Sequence, residues 1–420
     1  MAAAAQFDPQ DAVAPISIVE GPGVKVGESM VLRPIFGLET GVISNVFYED
    51  TGATAAGLIR LIAQVGAGSL SKQRLEAPAL LTPDDDGAAT IIGKEGDVIY
   101  RADARLTYDV LLSGDRFVSG VGGLGAGVTL RALVNPKGTW SFGVNEDFRR
   151  LIRAANFETD ANTNRDVNFL SLRVMAQPPG NNFSGLLHYD NTLDVFEKDT
   201  QHFANRMQHT FGVRAFYRWL PITRFFLGTT QGVFTGIGSS AKVDSYPLRI
   251  DGGVQTLLSL KTTFTLHGGY TAGLYSSGPS FSAPIFGAEL GYRYSPMGRV
   301  AVKYDYAHQD SVNANYFRDH VVRAWVQHLF VPFVVTLQPE LHLRQYQGVL
   351  MPDINGSLFR NDTILAFIGG IHYNYRNWMA LTASYAFSTV QTDFRYVTDG
   401  LIDDPSYVRH EFLFGMRAAL

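Results

Sequence analysis

Three sets of residues in this 420-residue chain could do chemistry. The first is Gly120-Val121-Gly122-Gly123-Leu124-Gly125, which carries the letters of a dinucleotide-binding glycine loop. That chemistry needs a helix after the loop, so that its first N–H groups meet a pyrophosphate. The next residues, Val128 to Val134, alternate like a strand instead, so the glycines read as a loop or a close strand entry. The second set is the histidines, of which there are 10. None belongs to a His-Glu-x-x-His or His-x-His pair, and His188, His267, His342 and His372 stand singly. Without a ligand cluster, solvated side chains are the more economical reading. Cysteine is absent, which removes disulfides and thiolate metal sites. No nucleophile elbow or phosphate loop is present. The sequence therefore assigns no catalytic residue, no cofactor and no metal.

The third set is charged side chains that recur on one face of alternating segments. The basic members are Arg33, Arg60, Arg101, Arg105, Arg131, Arg173, Arg214, Arg218, Arg249, Arg293, Lys303, Arg323, Arg344, Arg409 and Arg417. The acidic members are Glu39, Asp103, Asp109, Asp190, Asp251, Glu289, Asp305, Glu340 and Glu411. This face is basic although the whole chain has a formal net charge of −4. A net charge that small gives no reason to expect nucleic acid. Arginine suits carboxylate and phosphate groups, so a cationic lining would favour anions or polyanions in transit. Opposite charges on neighbouring strands could equally form ladders that neutralise a wide wall. The sequence leaves both readings open.

The elements that would position these residues are set by a two-residue period. In Thr263–Tyr275 the even positions are Phe264, Leu266, Gly268, Tyr270, Ala272 and Leu274, while the odd ones include Thr263, Thr265, His267 and Thr271. Successive strand side chains point to opposite faces, so one face is apolar and the other polar. The pattern recurs along nearly the whole chain. No apolar run reaches the roughly 18 residues of a spanning helix. Phe 28, Tyr 19 and Gly 42 suit strands, turns and interfacial girdles. The charged fraction of 18% lies below the ordinary soluble level.

The reversals fall into two alternating classes. Tight ones include Asn135-Pro136-Lys137-Gly138, Leu220-Pro221-Ile222-Thr223 and Ser295-Pro296-Met297-Gly298. Longer polar ones cover 149–164, 193–203, 237–244, 310–315, 348–361 and 391–405. Short turns on one rim and longer loops on the other are the layout of an outer-membrane barrel. The expectation is an all-β, transmembrane antiparallel β-barrel of about 18 strands with short periplasmic turns, surrounded by outer-membrane lipid. An even count puts both termini in the periplasm. Residues 1–28 read as a periplasmic lead-in to a mature chain, and 29–420 as the barrel. Residues 55–66 could pair as a strand or form an amphipathic helix; the first strand needs a partner, which favours the strand. Residues 70–97 read as a charged insertion on the short-turn rim, either a flexible one or a periplasmic contact element or plug. The other loops are short, so a deep constriction loop is hard to build, and the expectation is a wide passage.

One stretch resembles a known group. Val31-Leu32-Arg33-Pro34-Ile35-Phe36-Gly37-Leu38-Glu39-Thr40-Gly41, then Ser44-Asn45-Val46-Phe47-Tyr48, resembles the opening strand of the beta-barrel porin 2 group. Leu58-Ile59-Arg60-Leu61 looks like its second strand. The group includes outer-membrane barrels of exopolysaccharide secretion systems, the myxobacterial type among them. The resemblance covers about a tenth of the chain and transfers no binding residue. It implies export of secreted polysaccharide, with a periplasmic polysaccharide-export protein as partner. The other functions the pattern allows are a general or anion- or sugar-selective diffusion porin, and an outer-membrane lipid- or polysaccharide-modifying enzyme.

Overall fold

The computed structural model describes residues 21–27, 30–69, 97–136, 138–152, 164–398 and 401–420. Apart from Asp97, the expected insertion at 70–97 lies outside these residues, as do positions 1–20 of the lead-in. Eighteen long strands succeed one another among the described residues. They are β1 Met30–Ile43, β2 Ala56–Gly68, β3 Val98–Leu112, β4 Gly123–Val134, β5 Trp140–Leu151 and β6 Arg165–Ala176. Next come β7 Phe183–Phe196, β8 Arg206–Leu220, β9 Thr223–Gly236, β10 Ser245–Ser259, β11 Thr262–Tyr275 and β12 Phe281–Ser295. The last are β13 Gly298–Asp310, β14 Ala314–Phe330, β15 Phe333–Val349, β16 Phe359–Arg376, β17 Met379–Thr392 and β18 Tyr407–Ala419.

Each strand pairs antiparallel with the next, and β18 pairs back onto β1 from Ile35↔Ala419 to Ile43↔Glu411. The sheet is a closed barrel, so its strand edges are paired with one another rather than exposed. Residues 56–68 are strand, not helix; every inward position from Ala56 to Ile62 is even-numbered, which a helical period would not give. Part of the lead-in is also ordered: Val24–Val26 forms a short strand against Met30–Leu32.

The outer surface is apolar. Phe36, Leu38, Val42, Leu106, Leu227, Leu274 and Phe414 are among its exposed side chains. A surface of this kind on a closed sheet belongs in lipid, where every backbone polar group must be paired internally. Outward tyrosine–histidine pairs border it. Tyr189 bonds His209 at 2.9 Å, Tyr304 bonds His320 at 2.8 Å and Tyr385 bonds His410 at 2.9 Å, on the half nearer the long connections. Tyr294 bonds His328 at 2.7 Å near the opposite rim. Such amphipathic rings suit the two membrane–water interfaces.

The inner face carries the polar positions. Some inward rings need glycine on the strand beside them. His188 lies over Gly212, and His267 over Gly287, where a Cβ would collide with the imidazole.

Candidate functional site

The strand registers put all of the charged residues singled out by the alternation on the inner face. There they form cross-strand networks. Arg60 holds Asp109 through two hydrogen bonds of 2.7 and 2.8 Å and reaches Glu39 at 3.5 Å. Arg417 holds the other oxygen of Glu39 at 2.8 Å, so one chain of charge links β18, β1, β2 and β3. A second chain joins β14 and β15. Arg323 bonds Glu340, His342 lies 2.7 Å from Glu340 and 2.8 Å from Asp319, and Arg344 lies 2.8 Å from Asp319. Arg214 and Arg249 both approach Asp251, at 3.4 and 3.3 Å. Lys303 and His267 meet Asp305 at 3.1 and 3.3 Å. Arg101 pairs with Asp103 at 2.6 Å and Arg409 with Glu411 at 3.2 Å. Glu289 faces Lys303 in the register.

Glu39, Asp109, Asp251, Asp305, Asp319 and Glu340 therefore meet bases of other strands, in the manner of the second of the two arrangements the sequence left open, whereas Asp103, Asp190 and Glu411 meet bases of their own strand. Further bases of the set stand near the short-turn rim. Arg33, Arg131, Arg173, Arg218 and Arg293 lie within a few residues of their strands' ends on that side. Arg173 donates to Ser171 at 3.1 Å. Arg105 lies deeper, opposite Gly127. The solitary histidines of the sequence are not all solitary in space: His188 approaches Asp190 at 3.7 Å, and His267 and His342 belong to the networks above.

The expected wide passage is not what the long-connection end presents. β12 and β13 pair only as far as Tyr306, whereas β13 and β14 continue to Asp310↔Tyr316. By alternation His308, Asp310 and Tyr316 are outward residues. They nonetheless meet inward side chains of other strands. His308 stacks on Phe281 of β12 with centroids 4.6 Å apart, and Tyr316 on Tyr275 of β11 at 5.8 Å. Asp310 bonds Arg206 of β8 at 2.6 Å. These contacts require the end of the hairpin to bend inward across the mouth. At its tip Val312 packs against Phe196 of β7 and against Ala204. Lys242, between β9 and β10, lies 3.6 Å from Asp310 and donates to the carbonyls of Ser311 and Ala314. On the other side, Asn315 donates to the carbonyls of Ser277 and Pro279 at 3.0 and 3.3 Å.

Other connections on this rim also turn inward. Val118 is fully buried against Ile43, Leu58 and Leu413, inward residues of β1, β2 and β18. Tyr48 covers Ile364, Val390 and Tyr407, and Phe394 packs on Phe317 and Tyr346. Loop lengths do not reveal this narrowing, because the intruding end of the β13–β14 hairpin is built mostly of strand residues. Several participants lie beyond the charged set read from the sequence. Asp194 sits between Arg165 at 3.1 Å and Arg206 at 3.5 Å, and Arg360 holds Asp362 at 2.6 Å. Arg206, Asp194, Asp319 and Asp362 obey the same alternation and were legible; Lys242 and Asp310 had no such signal.

No protein-family model and no curated protein matches the chain. The opening-strand resemblance thus stands on its own residues. Among solved structures, the chain is similar to the outer membrane protein OpdK from Pseudomonas aeruginosa, at 9% identity and a TM-score of 0.46, over 93% of this chain and 99% of that one. A BenF-like porin from Pseudomonas fluorescens Pf-5 aligns at 11% identity and a TM-score of 0.46, over 93% and 99%. OccAB4 of Acinetobacter baumannii aligns at 10% and 0.45, over 94% and 100%.

Proposed function

We propose that this chain is a passive channel of the bacterial outer membrane, a porin for small solutes, with the long connections outside and both termini in the periplasm. The observation that carries the reading is the inward hairpin. A barrel of 16–18 strands is wide enough for an aqueous channel, and a latched internal segment sets which solutes fit through it. The charged inner wall keeps the passage hydrated, and its central ladders leave little net charge there. Polysaccharide export with a periplasmic export partner is the reading that the opening-strand resemblance supports. It needs room for a polymer, and the Asp310–Arg206 latch with the buried tip Val312 works against it.

The two separate in planar bilayers and sugar-swelling liposomes. The purified chain alone is expected to give steady conductance and to admit monosaccharides while excluding polymers. A silent barrel that opens only with a periplasmic protein present would reject the porin reading in favour of export.

A further inference from the structure

One seam of the wall stops short of the long-connection rim. β11 and β12 pair up to Gly273↔Phe281, and β13 and β14 up to Asp310↔Tyr316. Among the described residues, β12 and β13 between them pair no further than Phe286↔Tyr306. Phe281 to Ile285 of β12 lose their neighbour because the end of the β13–β14 hairpin bends inward. The sequence fits this break. Pro284 stands in the unpartnered stretch, and proline is confined to sheet edges because it has no N–H to give a neighbour. Where the hairpin departs, the lipid side of the wall has a recess above Tyr306.

The residues beside the recess differ from the apolar band below it. Arg318 and His320 of β14 are outward by alternation, since Phe317, Asp319 and Val321 are buried and Val322 is exposed. Arg318 lies where the hairpin leaves the wall, opposite His308 on one side and Gln345 of β15 on the other. Its Nε donates to the Gln345 side-chain oxygen, a neutral partner. It forms no ion pair with a carboxylate among the described residues. The nearby acids are engaged elsewhere, Asp310 by Arg206 and Lys242, Asp319 by His342 and Arg344. His320 is exposed, stacks on Tyr306 with centroids 4.4 Å apart, and meets the Tyr304 hydroxyl through Nδ1 at 2.8 Å. With the phenol as donor, the ring hydrogen is on Nε2, which has no partner among the described residues. Tyr189 and Tyr385 hold His209 and His410 in the same way. Their outward neighbours two residues along are Met207 and Phe211, and Val408 and Phe412. Of the three imidazoles, His320 has an arginine in that position.

A cation and an N–H donor on a lipid-facing wall are costly unless a polar group meets them. At the level of the tyrosines, the anion within reach of both is the phosphate of a lipid headgroup. We propose that Arg318, His320 and the recess above Tyr306 bind the headgroup of one phosphate-bearing lipid. Arg318 meets the phosphate oxygens, His320 Nε2 supplies a second donor, and the acyl chains lie on Phe286, Val302 and Val322, which are exposed below. The site is built on the hairpin that narrows the mouth, so one element faces both the lipid and the passage. Assignment of that lipid to the outer leaflet rests on the reading that puts the long connections outside; the binding itself does not.

The test uses the whole purified chain in detergent, with retained lipid counted by native mass spectrometry. The probes are phosphatidic acid and diacylglycerol of the same acyl chains, which differ only in the phosphate. Wild type is expected to retain one phosphatidic acid saturably, and diacylglycerol at least about tenfold more weakly, as loss of a charge-assisted hydrogen bond dictates. Arg318→Gln with His320→Gln is expected to remove most of this preference. Arg318→Lys keeps the charge and is expected to keep the preference, which separates lost recognition from lost folding. Arg150→Gln removes an arginine already paired with Glu197 at 2.7 Å and is expected to change nothing. Inorganic phosphate equimolar with the lipid is expected not to displace it. Equal retention of the two lipids by wild type, an unchanged preference in the double variant, or equal loss in Arg150→Gln would overturn the proposal. Displacement by inorganic phosphate would overturn the assignment to a lipid. Neither conductance nor membrane orientation enters the measurement, so its outcome is separate from that of the porin reading.

Discussion

Arg60 shows what an inward charge does in this wall. Its two bonds to Asp109 and its approach to Glu39 are nearly closed to solvent, with the Arg60 side chain 3% exposed. Removing one partner of a buried ion pair leaves the other uncompensated, which costs about 3–5 kcal/mol. Arg60→Ala is therefore expected to lower the denaturant midpoint of the refolded barrel markedly, whereas Arg60→Ala with Asp109→Ala should recover part of the loss. Urea unfolding followed by tryptophan fluorescence measures both; equal losses in the two would show that the pair is not coupled. On the other face, Glu146 is an outward residue of β5, opposite Leu130 and Leu170. A carboxylate facing lipid is unfavourable, by somewhat less than the roughly 2–4 kcal/mol found for cations at mid-membrane. Glu146→Leu is expected to stabilise the barrel by about 1 kcal/mol in the same experiment. A destabilised variant would mean that Glu146 has a use in the membrane, such as contact with another chain.

At the scale of elements, the β13–β14 hairpin is the piece whose movement should change transport. The contacts that hold its tip include the buried Val312 and the ionic latch of Asp310 with Arg206 and Lys242. Val312→Asp places a charge among Phe196, Phe203 and Ala204, and Asp310→Asn removes the charge that Arg206 and Lys242 meet. Each is expected to raise single-channel conductance and the size of sugar admitted, with barrel stability changed less than by Arg60→Ala. Unchanged conductance and unchanged sugar cut-off in both would mean that the hairpin does not set the aperture. This element also marks how far the sequence could be read. Thr263–Tyr275 and its companions gave strand positions because a sheet between lipid and water imposes a strict period of two. That period records which face a side chain takes relative to its own strand. It does not record that the strand leaves the wall: continued along the observed strands it puts His308, Asp310 and Tyr316 on the outward side, while they pack inward. Apolar inward residues such as Ile43, Leu58 and Leu413 broke the rule for a related reason: incoming connections cover them. The packing of Val118 on these residues reveals this, and those contacts are long-range.

For the whole molecule, the separation of two ends matters more than the overall charge. The formal net charge of −4 suggests nothing about anions. The inward placing of Arg33, Arg131, Arg173, Arg218 and Arg293 near the short-turn rim bears on them more, because a local field acts on a solute where the solute passes. Alternation alone marks these arginines as inward, but not their height along the axis, which depends on the register between hairpins. The register also shows how late the barrel becomes a barrel. Gly37 pairs with Arg417, and the backbone N–H of Gly23 donates to the carbonyl of Leu420, so the first and last parts of the chain share one seam. Seventeen strands made in order remain an open sheet with two unpaired edges until β18 arrives. Such edges invite other strands, and contacts between distant parts of a chain form slowly. A chain of this design needs protection of its exposed edges throughout synthesis and transit, and loss of its last strand would leave it permanently adhesive.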